Sequence, residues 1–312
     1  MTAQTWIDET RDLLLTDYVE ELATLGGDMT VDQSTISFTL PSATPAGVVA
    51  GSTLEVGTEL MYVFDVATNG TVTVQRGYKG STAATHDAND LVTINPKFPA
   101  YQIVDALNHE LRDLSSPQNG LFQIKTVDLT FDTAQDGYDM TGVTDDILSI
   151  YQLTFSDPGS ENAEPILSNF TLRRNRDTSS FASGYALILH DDAWPGETVR
   201  VQYKTGFATL TDTTTALSTT GLHAEAYDLP VLGAAVRLMS SRPIRREFLD
   251  EQGSSRSAEE VPPGAISASI RDLRQLREDR VNAEVARLHS QYPVYWNRSQ
   301  GGKSQTHLYR GY

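Results

Sequence analysis

The spacing of apolar residues switches several times between a helical and a strand period. Trp6, Leu13, Leu14, Tyr18, Leu22 and Leu25 recur at helical intervals before Gly26-Gly27. That spacing predicts a helix over 5–25, opened by Thr5-Trp6-Ile7-Asp8 at capping-box spacing. From Val31 to Asn95 the pattern alternates. The stretches "STISFTL", "STLEVGTELMYVFDV", "GTVTVQRG" and "DLVTINP" read as strands between Gly, Pro and Asn punctuation. Val104, Leu107, Leu111 and Leu114 then share one helical face that ends at Pro117, with His109 beside Glu110 on the polar side. Alternation returns from Leu121 to Leu210 in "LFQIKTVDLTF", "DILSIYQLTF", "PILSNFTLRR", "GYALILHD" and "ETVRVQYKTGF". Five such strands with polar turns suggest a sandwich or small barrel. Thr-rich "TLTDTTTALSTTG" reads as a surface linker.

The last third is helical in pattern. Asp228 can cap "LPVLGAAVRLMSS", where Pro230 sits in the first turn and Gly233, Ala234 and Ala235 form a face small enough for close helix contact. After a polar stretch, Ile266, Ile270, Leu273, Val281, Val285 and Leu288 make an apolar stripe, with Arg271, Arg274, Arg277 and Arg280 projecting elsewhere. The expected fold is therefore α+β: a four-helix bundle core with two inserted antiparallel β domains. Its parts are helical segments 1–29, 99–117 and 223–291, a first β insert 30–98, a second 118–222, and an extended tail 292–312.

Composition narrows the chemistry. The chain of 312 residues holds no cysteine, which excludes disulfides, thiolate metal sites and cysteine nucleophiles. No apolar run approaches the length of about 18 residues that spans a membrane, and the start lacks the pattern of a signal peptide. The net charge of −17 lies entirely in residues 1–160, with 23 acidic and 6 basic residues, whereas 161–312 holds 18 of each. From Arg237 onward 13 basic residues face 9 acidic ones, so the chain ends basic. Nonspecific grip on duplex DNA by the whole surface is not expected, because that affinity comes from Lys and Arg neutralising phosphates.

Three stretches bear on chemistry. "QRGYKGSTAATHDANDLVTINP" has the glycines, lysine and Ser-Thr pair of a phosphate cradle, but Lys79 precedes Gly80 where a P-loop needs G-K-[ST]. His86, Asp87 and Asp90 in the same stretch could ligate a metal, against the plainer reading of a solvated turn between two strands. His190-Asp191-Asp192 could supply a base and carboxylates, and a glycosidase using Asp191 or Asp192 is one reading; a tight turn before Trp194-Pro195-Gly196 is the other. Neither stretch completes a constellation, so no catalytic, cofactor or metal residue is assigned and no enzyme activity is expected. The tail carries Tyr292, Tyr295, Trp296, Arg298, Tyr309, Arg310 and Tyr312, residue types that protein interfaces enrich.

The chain resembles the head-to-tail connector, or adaptor, proteins of tailed bacteriophages. The resemblance rests on "GTELMYVFDVATNGTVTVQRGYKGSTAATHDANDLVTINPKFP", "YQIVDALNHELRDLSSPQNGLF", "SGYALILHDDAWPGETVRVQYKTGF" and "YDLPVLGAAVRLMSSRPIRREF". Within them, R-G-x-x-G-[ST]-x-A-x-x-H is similar to a β-module signature of phage virion proteins. The resemblance implies a homo-dodecameric ring beneath the portal protein, in contact with tail or tail-completion proteins and passing genomic DNA without sequence-specific binding. It also implies a place in the virion after assembly in the host cytoplasm, and portal docking by the seven tail residues named above. The alternative is a tail-fibre, baseplate or other surface β-protein, which predicts a monomer or trimer.

Overall fold

The helical period at the N-terminus ends sooner than its leucines suggest. In the computed structural model, which describes residues 1–15, 20–40, 44–135, 137–143, 145–157, 159, 164–190, 196–241 and 265–293, α1 spans Ala3–Leu14. Leu22 and Leu25 belong instead to β1, Glu21–Leu25, where Ala23 and Leu25 turn inward and Leu22 outward. The capping box does not form. Thr2 is the N-cap and its side chain makes no capping bond; the Ala3 and Gln4 amides donate to the carbonyls of Thr215 (2.8 Å) and Thr213 (2.9 Å). The Thr-rich stretch lies largely at the surface, as its composition suggests, but it is an ordered turn that meets α1 and not a plain linker. Asp212 Oδ1 accepts from the amides and hydroxyls of Thr214 and Thr215, Leu217 and Thr220 are buried, and the turn closes the open end of α1.

The chain divides into two units, Met1–Asp113 with Ala208–Asn282, and Leu114–Phe207 with the described residues from Ala283 on. In the first, β1 joins β2 (Thr35–Ile36), β3 (Phe38–Leu40), β4 (Thr53–Val56), β5 (Glu59–Val66), β6 (Val72–Gln75) and β7 (Leu91–Ile94). They form one antiparallel sheet in the order β2-β6-β5-β4-β7-β1-β3. "STLEVGTELMYVFDV" is two strands, because Gly57 (φ +59°) and Thr58 make a tight hairpin turn between Val56 and Glu59. One face of the sheet buries Leu54, Met61, Val63, Val72, Val92 and Ile94 together.

The second unit is a sandwich. β8 (Gln123–Thr130), β10 (Ile147–Phe155), β11 (Ile166–Leu167) and β14 (Thr198–Thr205) form one sheet. β9 (Tyr138–Asp139), β12 (Phe170–Arg173) and β13 (Ala186–Leu189) form the other. Both contribute to a single core, with Ile147, Leu153, Val199 and Val201 from the first sheet and Tyr138 and Leu187 from the second.

A four-helix bundle core is not what these elements build. The described residues hold four α-helices: α1, α2 (Ala100–Leu114), α3 (Asp228–Ser241) and α4 (Ala265–Gln291). They are set beside a large antiparallel sheet. A bundle needs four apolar stripes facing one axis, and α4 offers only part of one: Val281 and Leu288 are buried, while Ile270 and Leu273 stay half-exposed. Charge helps to hold α4 in the first unit beside Val281. Arg277 and Arg280, expected on its outer side, turn inward onto Glu110 and Asp113 of α2 and Asp228 of α3. Glu110, expected on a polar face, is buried against Gly233, where an added Cβ would stand 2.0 Å from its Cδ. α1 meets the entry to α3 through the edge-on pair of Trp6 and Tyr227, the residue before Asp228, 5.5 Å between ring centres.

Candidate functional site

The stretch that looks like a phosphate cradle does cradle an anion, and the anion is the protein's own. Glu59 opens β5 with no exposed surface. Arg76, just past β6, grips both its oxygens through Nε (2.7 Å) and Nη2 (2.8 Å). The Gly77 and Ala84 amides each donate at 3.1 Å, and His86 Nε2 lies 2.9 Å from Oε2. The remaining Arg76 bonds go to the carbonyls of Thr30, Gln33 and Ala84. Burial pushes the carboxyl pKa up, but the Arg76 and His86 hydrogen bonds and the two amides outweigh it and hold Glu59 at about 2.

The local backbone explains the motif's glycines. Gly77 (φ +60°) lets the chain double back so that its amide faces Glu59, and an added Cβ would meet the Ser81 carbonyl at 3.0 Å. Ser81 then ties the turn to β5, accepting from the Leu60 amide and donating its hydroxyl to the carbonyls of Leu60 and Tyr78. Met29 and His86 pair backbone to backbone. Lys79 places its Nζ 5.5 Å from the Tyr78 ring centre, and His86 is neither solvated nor grouped with Asp87 and Asp90 around a metal position. Among the described residues no three His, Asp or Glu side chains converge as a metal site would require. Glu59 itself escapes a motif search, yet its register with inward Met61 and Val63 places a carboxylate on the core face of a strand, which is a readable signal.

The other candidates are dispersed. His190 is exposed, with Nε2 2.9 Å from the Thr171 hydroxyl, while Asp191 and Asp192 lie outside the described residues. His109 is exposed beside Asp105, 3.7 Å away. Of the tail residues only Tyr292 is described; Tyr295, Trp296, Arg298, Tyr309, Arg310 and Tyr312 lie outside the described residues.

Tyr292 sits in an aromatic group within the second unit. Its ring meets Tyr151 edge-on at 5.8 Å and Phe122 at 6.4 Å, and the Tyr151 hydroxyl reaches the Pro293 carbonyl at 3.4 Å. Lys204 Nζ stands 3.9 Å above the Phe122 ring and 5.9 Å from that of Tyr151, and burial lowers its pKa. The expected docking residue is here the root of the tail. Phe122, Tyr151 and Lys204 come from three different segments, and no local spacing in the sequence links them. No protein-family model and no curated protein matches the chain.

Proposed function

We propose that the chain is a structural virion protein, a head-to-tail adaptor whose copies form a ring beneath the portal, line the DNA channel and join capsid to tail. The observation that carries this reading is the closed nest around Glu59. The R-G-x-x-G-[ST]-x-A-x-x-H connection, on which the resemblance to virion β-modules turns, has its arginine, its first glycine and its histidine all engaged on one buried carboxylate. Such a connection locks a β-domain and leaves no cradle for an exchangeable ligand. The charge balance supports the same reading. An acidic wall does not hold phosphates, so DNA can slide along it instead of adhering.

Negative-stain imaging and native mass measurement of the purified protein test the proposal. A closed ring of twelve copies around an open channel is the expected result. A monomer or trimer that portal-containing heads do not take up would replace the adaptor with a fibre-like or baseplate-like role.

A further inference from the structure

The outward face of β1 and β7 forms a groove with α1. Ala23 and Val92 pair with their side chains in the core, so their neighbours Leu22 and Leu91 stand on the opposite face. They are 50% and 57% exposed, and together with Leu15 they line a cleft of about 940 Å³. Its rim is acidic: Asp8 and Asp12, one turn apart on α1, with Glu20 and Asp90. Among the described residues the one arginine in the lining, Arg11, is committed to Glu55 and to the Phe98 carbonyl, and His86 is held by Glu59. One carboxylate oxygen of Glu20 is buried without a hydrogen-bond partner. Glu9, beside Asp8 on α1 but outside the lining, has its carboxyl pKa raised by burial and then by the charges of Asp12, Asp228 and Asp8, so among the described residues this end of α1 carries negative charge that is not offset.

We propose that this cleft receives residues 294–312 of a second copy of the chain. That segment has the complementary chemistry: Arg298, Lys303 and Arg310 with no Asp or Glu, and Tyr295, Trp296, Tyr309 and Tyr312 to cover exposed leucines. Its 19 residues reach at most about 65 Å when extended, enough to cross to an adjoining molecule. Each copy carries one cleft and one tail, so the contact is head-to-tail, the kind that closes into rings when the rotation permits. The inference does not depend on the adaptor reading, and it gives to a neighbouring copy the tail residues that the resemblance assigns to the portal.

The test uses full-length protein in an equal mixture of unlabelled and nitrogen-15-labelled copies, treated with a carbodiimide that couples an amine directly to a carboxylate. The expected products join Lys303 to Asp8, Asp12 or Asp90 in mixed-isotope form. Asp8 and Asp12 are exposed, so Asp8→Lys/Asp12→Lys should fold normally, lose these cross-links and self-associate at least about tenfold more weakly at low salt. Adding Arg298→Glu/Arg310→Glu to the reversed chain should restore association. Cross-links in single-isotope form alone, with no mixed-isotope pairs, would assign the cleft to the molecule's own tail and overturn the proposal. Unchanged association in the reversed variant would overturn it as well. Rings that persist in that variant would leave the adaptor reading intact while removing this contact from it.

Discussion

Glu59 has no exposed surface and still keeps its charge. Its folded-state pKa, about 2, lies below the ordinary 4.5. A group depressed in this way stabilises the fold fully above pH 4.5 and loses that contribution as pH falls towards about 2. The difference corresponds to about 3 kcal/mol, with no discount for solvent screening because the carboxylate is wholly buried. Glu55 and Glu110 run the other way, since burial raises both against Arg11 and Arg277. Comparison with Glu59→Gln separates the effects. Urea unfolding at pH 6 should find that variant about 3–5 kcal/mol less stable, because Arg76 and His86 lose their anion. The gap between variant and parent should narrow steadily from pH 4.5 to pH 2. A gap constant across that window would mean that Glu59 titrates alike in the folded and unfolded chain.

At the scale of elements, two joints carry expected outcomes. Asp212→Ala removes the turn that presents the Thr213 and Thr215 carbonyls to α1, and should cost about 1 kcal/mol, read as faster amide exchange at Ala3 and Gln4. Gly233→Ala places a methyl group against the buried, ion-paired Glu110, and should destabilise by about 1–3 kcal/mol. Combining it with Glu110→Ala should cost less than the sum of the two, because the clash is then gone; additive losses would show that Glu110 already moves freely. These joints also mark what the sequence could say. Alternation located the runs that hold β4 to β7, and a 3.6-residue period located α2, because each pattern is the direct trace of one buried face. Leu22 and Leu25 misled because a spacing of three marks one face of a helix, whereas the strand that forms there turns Leu25 inward and Leu22 outward. That the helices form no bundle was not legible either. Periodicity tells that a helix has a face and says nothing of what covers it, and on α4 two ion-paired arginines turn inward alongside buried Val281. Phe122, Tyr151, Lys204 and Tyr292 meet only through tertiary folding.

On the scale of the whole molecule, the question is where the folded body stops and the tail begins. The chain's aromatic, basic end starts at Tyr292 by composition, yet the second unit holds Tyr292 between Phe122 and Tyr151 and bonds the Pro293 carbonyl. An edge-on aromatic pair of this kind contributes about 0.5–1.5 kcal/mol beyond the area it covers. Removing Tyr292 would also strip cover from a group in which Lys204 is already partly desolvated. Two truncations therefore should differ although they end two residues apart. Chain 1–293 keeps the aromatic group and should melt with the full-length protein, while losing self-association if the tail is the docking segment. Chain 1–291 loses Tyr292 and should melt roughly 2–4 °C lower in the transition belonging to the second unit, whose unfolding calorimetry can resolve if the two units melt separately. Tyr292→Ala in the full chain should reproduce that shift without weakening association. Equal melting of 1–291 and 1–293 would place the boundary before Tyr292 and return that residue to the docking surface.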